Sequence, residues 1–248
     1  MSLEVPIGED ERLDELFNGH LRIIQKKEGY RFSIDAILLA HFASQLSADS
    51  IIDLGTGSGI IPLILARKMS SPTIVGVEVQ EAMADMAKRT IALNGFAERV
   101  SILHEDLRNL RNHFAAFSFD LVVSNPPYYP VDDGRINPDE QKAIARHEIM
   151  AKVEDIISVS HYLVKPSGRV VIIFPAKRLA DLLYNLREYN LKPELLQIIH
   201  SHKHDEGKLV IVKSCKRGDP ELEIREPLFV YEAEGIYSEE MQRIYSGI

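Results

Sequence analysis

Tryptophan is absent from the 248 residues, and cysteine occurs once, at Cys215. A single thiol excludes an intramolecular disulfide framework and any cysteine-based zinc site, and it fits a reducing, cytoplasmic compartment. Long hydrophobic runs are also missing. The longest apolar stretches are strand-length, so no segment is expected to span a membrane. No charged patch followed by an apolar run opens the chain, so no secretory leader is expected. Positive charge is scarce: 29 Lys and Arg against 37 Asp and Glu leave a net charge of -8. That balance runs against the usual profile of a nucleic-acid binder, although local basic patches rather than global charge do the phosphate work.

What is present is enough apolar material, 45%, for one sizeable α/β domain. Short β-rich runs alternate with helix-length amphipathic runs, the pattern of βαβ units and a parallel sheet. Strands are predicted at Ser50–Leu54, Thr73–Val77, Arg99–Leu103, Phe119–Ser124 and Arg169–Phe174, with Glu194–His200 and Lys208–Ser214 as a closing antiparallel pair. Helices are predicted at Ile60–Met69, Glu81–Asn94, Val153–Val164 and Lys177–Tyr189, with Asn94-Gly95 stopping the second. The expected fold is α/β: a Rossmann-like, doubly wound, mostly parallel seven-stranded sheet with an antiparallel closing strand. Residues 1–47, with a short strand at Ile23-Ile24 and a helix over Ser33–Leu46, read as an N-terminal flap over the carboxyl edge of the sheet. Residues 48–218 read as the core domain and 219–248 as an extension that adds one edge strand around Phe229-Val230-Tyr231.

The run Asp53-Leu54-Gly55-Thr56-Gly57-Ser58-Gly59 falls between the first core strand and its helix, where backbone N–H groups can face a ligand. A dinucleotide fingerprint wants G-x-G-x-x-G. Here the third glycine comes one place early. The form D-x-G-x-G-x-G instead resembles motif I of class I S-adenosylmethionine-dependent methyltransferases. That cofactor has no pyrophosphate to seat on a helix N-terminus, and the glycines let the backbone pass close to its methionine end. Glu78 ends the next strand at the spacing of an acid that accepts bonds from ribose hydroxyls.

After the fourth core strand comes Asn125-Pro126-Pro127-Tyr128. An amino nitrogen conjugated to a ring or carbonyl has its lone pair delocalised. Two acceptors gripping its two hydrogens localise that pair toward an electrophilic methyl. Asn125 offers a side-chain carbonyl and Pro126 a main-chain carbonyl; successive prolines fix φ and hold that carbonyl in place. Tyr128 presents a ring face for a planar base. Taken alone the tetrapeptide is a turn; after a neighbouring strand of the sheet that carries the glycine loop, it faces the same crevice.

With both motifs placed, the chain resembles the amino-directed branch of class I methyltransferases and, within it, the tRNA1(Val) (adenine-37-N6)-methyltransferase family. Gln25, the run Gly29-Tyr30-Arg31-Phe32-Ser33-Ile34-Asp35, and Ala145-Arg146-His147-Glu148 extend the resemblance. It implies S-adenosyl-L-methionine as cofactor and tRNA as partner, without metal or membrane. It implies cofactor contacts from Phe32, Asp35, Asp53, Gly55, Thr56, Gly57, Gly59, Glu78, Val79, Asp106, Leu107 and Asn125. Asp106 takes the adenine side. The resemblance assigns Asn125, Pro126, Pro127 and Tyr128 to the transfer, and Tyr128, Arg146 and His147 to the substrate. Protein glutamine N5- and RNA guanine N2-methyltransferases use the same or related motifs, and a non-catalytic cofactor-binding scaffold is a reading of another class; the glutamine enzymes are expected to carry a long N-terminal helical domain.

Lys177, Arg178, His202, Lys203, His204, Lys208, Lys213, Lys216 and Arg217 punctuate the last third of the chain. Sharing one face they form a phosphate-binding rim; otherwise they are scattered solvated side chains. The His200-Ser201-His202-Lys203-His204 run lacks the partner cysteines or acid motif of a metal site.

Overall fold

The computed structural model describes residues 5–28, 33–126 and 151–246. At its centre is a nine-stranded mixed sheet. Its spine is β3 (Ser50–Leu54), β4 (Thr73–Glu78), β5 (Val100–His104), β6 (Phe119–Ser124), β7 (Val164–Pro175), β8 (Lys192–His200) and β9 (Gly207–Cys215). They lie in the order β8-β9-β7-β6-β3-β4-β5. The strands β3 to β7 pair in parallel, and β9 runs antiparallel to both β7 and β8. This is the predicted seven-stranded plan with its antiparallel closing strand.

Helices cover both faces, because strands such as Ile51-Ile52-Asp53-Leu54 are buried on both sides. One face holds α1 (Ile34–Ala43), α2 (Ile60–Lys68) and α3 (Glu81–Leu93), around Ile51, Ile74 and Leu121. The other holds α4 (Val153–Leu163) and α5 (Leu179–Glu188), with a 3-10 turn at Leu107–Asn112, around Ile52, Val122 and Ile172. The order in which strands are added reverses about β3: β4 and β5 lie on one side, β6 and β7 on the other. The crevice at that reversal is where open α/β sheets bind ligands.

Two segments depart from the expectation. Residues 11–26 form a hairpin of β1 (Glu11–Leu16) and β2 (Leu21–Lys26), where only a short strand at Ile23-Ile24 is predicted. The hairpin does not lie over the carboxyl edge. It flanks the C-terminal half of α3: the Ile24 amide donates to Thr90 Oγ1 (3.1 Å), the Arg22 amide to Asn94 Oδ1 (2.9 Å), and Arg89 grips Glu11 at 2.7 Å. The helix α1 in turn is an integral member of the helical layer, with Leu39 and Ala40 fully buried.

The C-terminal segment supplies more than one edge strand. Parallel to β8 lie β10 (Glu223–Ile224) and β11 (Leu228–Phe229), followed by the small hairpin β12 (Tyr231–Ala233) and β13 (Ile236–Tyr237). The final helix, α6 (Glu239–Ser246), buries Met241 and Ile244 in the α1 layer. Among the described residues no helix is long and apolar enough to cross a membrane.

Candidate active site

The glycine loop and the Asn-Pro pair are neighbours by register. Leu54 of β3 pairs with Ser124 of β6 and with Val77 of β4, so Gly55, Asn125 and Glu78 stand side by side at the carboxyl edge. The Ser124 hydroxyl donates to the Leu54 carbonyl at 2.8 Å, in the buried floor between the two motifs.

Gly55, Gly57 and Gly59 have φ of +80°, +56° and +83°, the left-handed region that a side chain resists. Their environments differ. A Cβ on Gly55 would meet nothing within 4 Å, so this position borders open space. A Cβ on Gly59 would lie 3.0 Å from Ala87 Cβ; the last glycine therefore serves the close approach of α2 to α3. The loop amides turn inward, contrary to the expectation that they face a ligand. Gly55 and Thr56 both donate to the Val77 carbonyl (2.9 and 2.8 Å), Gly57 to Glu78 Oε2 (2.9 Å), and Gly59 to the Thr56 carbonyl (3.0 Å). A loop with those amides already satisfied is a poor phosphate cradle, which agrees with a ligand lacking pyrophosphate.

Three polar side chains sit beneath and beside the loop. Asp53 is fully buried, and the Thr56 hydroxyl beside it offers at most a poorly aligned hydrogen bond to its carboxylate. Burial pushes its pKa up to about 7, opposed by the Thr56 hydroxyl and reinforced by the nearby Glu78. A buried carboxylate without a cationic partner is costly, and it is the group a cationic ligand end would satisfy. Thr56 is buried, its hydroxyl beside Asp53 and packed over Gly76 of β4, where a Cβ would fall 2.9 Å from that oxygen. Glu78 is nearly buried and accepts from the Gly57 and Gln80 amides, both at 2.9 Å. Burial raises its pKa, partly opposed by the backbone amides of Gln80, Gly57 and Val79. Two of its roughly four lone-pair directions remain for hydroxyl donors.

Farther along the edge, Val79 is half-buried and its carbonyl accepts from His104 Nε2 (3.0 Å). Asp106 caps the 3-10 turn through the Arg108 amide (2.9 Å) and also grips the Arg108 guanidinium, which holds its pKa down. Leu107 points away from the edge into the core beside Leu110. Asp35 lies in the first turn of α1, on the rim of a cavity beyond the end of β7. Asn125 is half-buried and Pro126 buried. Phe32, Pro127, Tyr128, Arg146 and His147 lie outside the described residues.

Sequence reasoning missed Ser124, which ties β6 to β3, and Gly76, which makes room for Thr56. A glycine inside a strand was the available signal for the second.

The predicted basic residues divide between two edges. Lys177, Arg178, His202, Lys203, His204 and Lys208 cluster where β7 and β8 end and β9 begins. Lys213 pairs with Glu194 at 2.8 Å, and Lys216 lies 4.1 Å over the Phe117 ring, both toward the opposite edge. Among the described residues no three potential metal-ligating side chains converge.

Residues 33–177 match a family described as the methyltransferase small domain. A Porphyromonas gingivalis protein named tRNA1(Val) (adenine(37)-N6)-methyltransferase is 30% identical over 223 residues, 86% of each chain. A Pedobacter heparinus protein of the same name is 29% identical, over 84% of this chain and 86% of its own. Among solved structures, one described as a predicted O-methyltransferase from Agrobacterium tumefaciens superposes with a TM-score of 0.69. It is 21% identical, over 86% of this chain and 96% of that one, a likeness of fold.

Proposed function

The chain belongs to the methyltransferase small domain family, and on that premise we propose that it methylates the exocyclic N6 of an adenine in tRNA, position 37 of tRNA1(Val). It is an S-adenosylmethionine-dependent methyltransferase. The observation that carries the acceptor reading is the register pair Leu54↔Ser124, which sets Asn125-Pro126 directly beside Gly55.

Asp53, the Gly55–Gly59 loop and Glu78 would hold the cofactor, with Val79, Asp106 and the main chain of Leu107 toward its nucleoside end, and Phe32 and Asp35 contributed from the segment that begins α1. Once bound, it supplies an electrophilic methyl carried by a sulfonium. The protein's own task is then alignment and charge placement. Asn125 through its side-chain carbonyl, and Pro126 through its main-chain carbonyl, accept the two N–H bonds of the amine and direct its lone pair. The buried strand ends beneath fix both acceptors, since Ser124 is fully enclosed and bonded to Leu54. Tyr128 stacks on the extruded base, while Arg146 and His147 approach the RNA. The amine proton leaves to water once nitrogen becomes cationic, so no strong base is required. A soluble, cytoplasmic enzyme acting on tRNA fits the single buried cysteine.

Purified protein incubated with labelled cofactor and bulk tRNA, with a glutamine-bearing release factor as rival acceptor, tests the assignment. Label in tRNA as N6-methyladenosine is expected; label only in the protein acceptor rejects it.

A further inference from the structure

On the same sheet edge as the candidate active site lies a cavity of about 470 Å³, bounded by the first turn of α1, the end of β7, the β8–β9 turn and the C-terminal segment. Asp35, His200, Lys208 and Tyr231 are on its walls. Tyr231 belongs to a column of four aromatic rings. His202 stacks on Tyr231 at 5.4 Å and 29°, Tyr231 on Tyr237 at 5.2 Å and 10°, and Tyr237 on Tyr245 at 4.9 Å and 20°. The inner end is anchored by Tyr245 on α6, whose Met241 is fully buried. The outer end is His202, whose side chain keeps 42% exposure. A column ending in an open ring is a platform that a nucleobase extends.

The charge beside the column is arranged to match. Asp205 is tied to His202 at 3.0 Å, and Glu206 faces Lys177 at 3.4 Å. Lys203, on the turn, and Lys208, at the start of β9, are exposed; neither makes a direct salt bridge among the described residues, and Lys208 lies close enough to Asp205 to help hold that carboxyl's pKa down. Two exposed cations at an aromatic platform, on a chain of net charge -8, suit a phosphate backbone with a stacked base. Distance suits it as well. Three strand spacings of about 4.8 Å separate β6 from β8, roughly 14 Å. About four stacked nucleotides, at ~3.4 Å each, cover that span.

We propose that this cavity and column form a second RNA subsite, which seats a nucleotide about four positions along the strand from the methylated adenine. Its base stacks on the open face of His202, which Tyr231 backs, and its phosphates meet Lys203 and Lys208. The proposal rests on the RNA reading above.

The test measures binding of a labelled RNA stem-loop with an unpaired adenine to the intact chain across a salt series, with methyl transfer to the same RNA in parallel. The double variant Lys203→Glu/Lys208→Glu should bind at least tenfold more weakly and flatten the log–log salt slope by about 2. It should raise KM for RNA with kcat within about twofold. Tyr231→Leu should weaken binding roughly tenfold and Tyr231→Phe should restore it. If Tyr231→Leu does not fold, His202→Ala at the open end carries the same expectation. Lys88→Glu, on the exposed side of α3, makes the same kind of charge change and should leave binding as in wild type. The subsite is overturned if the Lys203/Lys208 and Tyr231 variants bind RNA like Lys88→Glu, if wild type binds no RNA, or if the variants raise KM only for a glutamine-bearing peptide. RNA binding that responds to these variants without methyl transfer supports the subsite and rejects the acceptor reading.

Discussion

The hydroxyl of Ser124 donates a 2.8 Å hydrogen bond to the carbonyl of Leu54, and both residues are fully buried. It joins the last residue before the Asn-Pro pair to the last residue before the glycine loop. The acceptor for an amine and the platform for a methyl donor therefore share one rigid floor, where small displacements are costly to rate.

Asn125→Ala removes a side-chain acceptor from this floor while leaving Gly55, Asp53 and Glu78 in place. Transfer should fall at least about 10²-fold. Cofactor affinity by calorimetry should stay within a few-fold, and retained turnover would reject the assigned role.

Asp53 gives the site a pH signature. With its pKa raised to about 7 by burial, the carboxyl is protonated in the unliganded protein below that pH. A cationic ligand end needs it ionised. Affinity for S-adenosylmethionine should therefore fall as pH drops below about 7, approaching tenfold per pH unit. Asp53→Asn should bind more weakly at pH 8 and show a flat profile. Stability moves oppositely. The folded state holds the proton that the unfolded chain releases near pH 4, so ionisation at Asp53 costs stability progressively from about pH 4 to 7. Unliganded Asp53→Asn should be the more stable protein at pH 8, by on the order of 3 kcal/mol, and the gap should close toward pH 4 in thermal melts.

Gly59→Ala places a methyl 3.0 Å from Ala87 Cβ at φ +83°. Crowding and left-handed strain act together. A loss of about 2–3 kcal/mol is expected, read as a lowered Tm, with cofactor affinity reduced as α2 shifts from α3. Gly95→Ala, whose Cβ would meet nothing within 4 Å at φ +75°, should show only the smaller strain cost.

Arg89→Ala frees the N-terminal hairpin. Arg89 holds Glu11 by two 2.7 Å bonds and lowers its pKa to about 2. A depressed carboxylate adds stability that is complete above about pH 4.5 and is lost as pH falls through 2. The variant should lose about 2–3 kcal/mol at pH 7, with the difference from wild type narrowing below pH 4 in urea melts.

The core was legible because its signals are local. Ile51-Ile52-Asp53-Leu54 is an apolar run closed by glycines, and Asn94-Gly95 marks where α3 ends. The hairpin was not. Glu-Arg-Leu-Asp-Glu-Leu at 11–16 buries its acid, Glu11, only because Arg89 arrives from 78 residues away. The late strands β10 and β11 are two residues each, too short to show periodicity, and they owe their existence to β8. Within the site, the sequence names the glycines and Asp53. It does not say that the loop amides turn inward onto Val77 and Glu78, nor that Asp53 is enclosed with only the Thr56 hydroxyl to ease its burial. Those are properties of how β3 and β4 lie together.

The short strands β10 and β11 have a consequence for solubility. β8 presents Leu195, Leu196, Ile198 and Ile199 along a nine-residue rim. A bare rim of that length and composition is a template for intermolecular strand pairing. The Arg225 amide bonds to the Leu196 carbonyl and the Val230 amide to that of His200, both at 2.9 Å, so the tail occupies the positions another chain would use. A chain cut after Asp219 would keep the cofactor loop and Asn125, but it would carry an open adhesive margin and should self-associate as concentration rises.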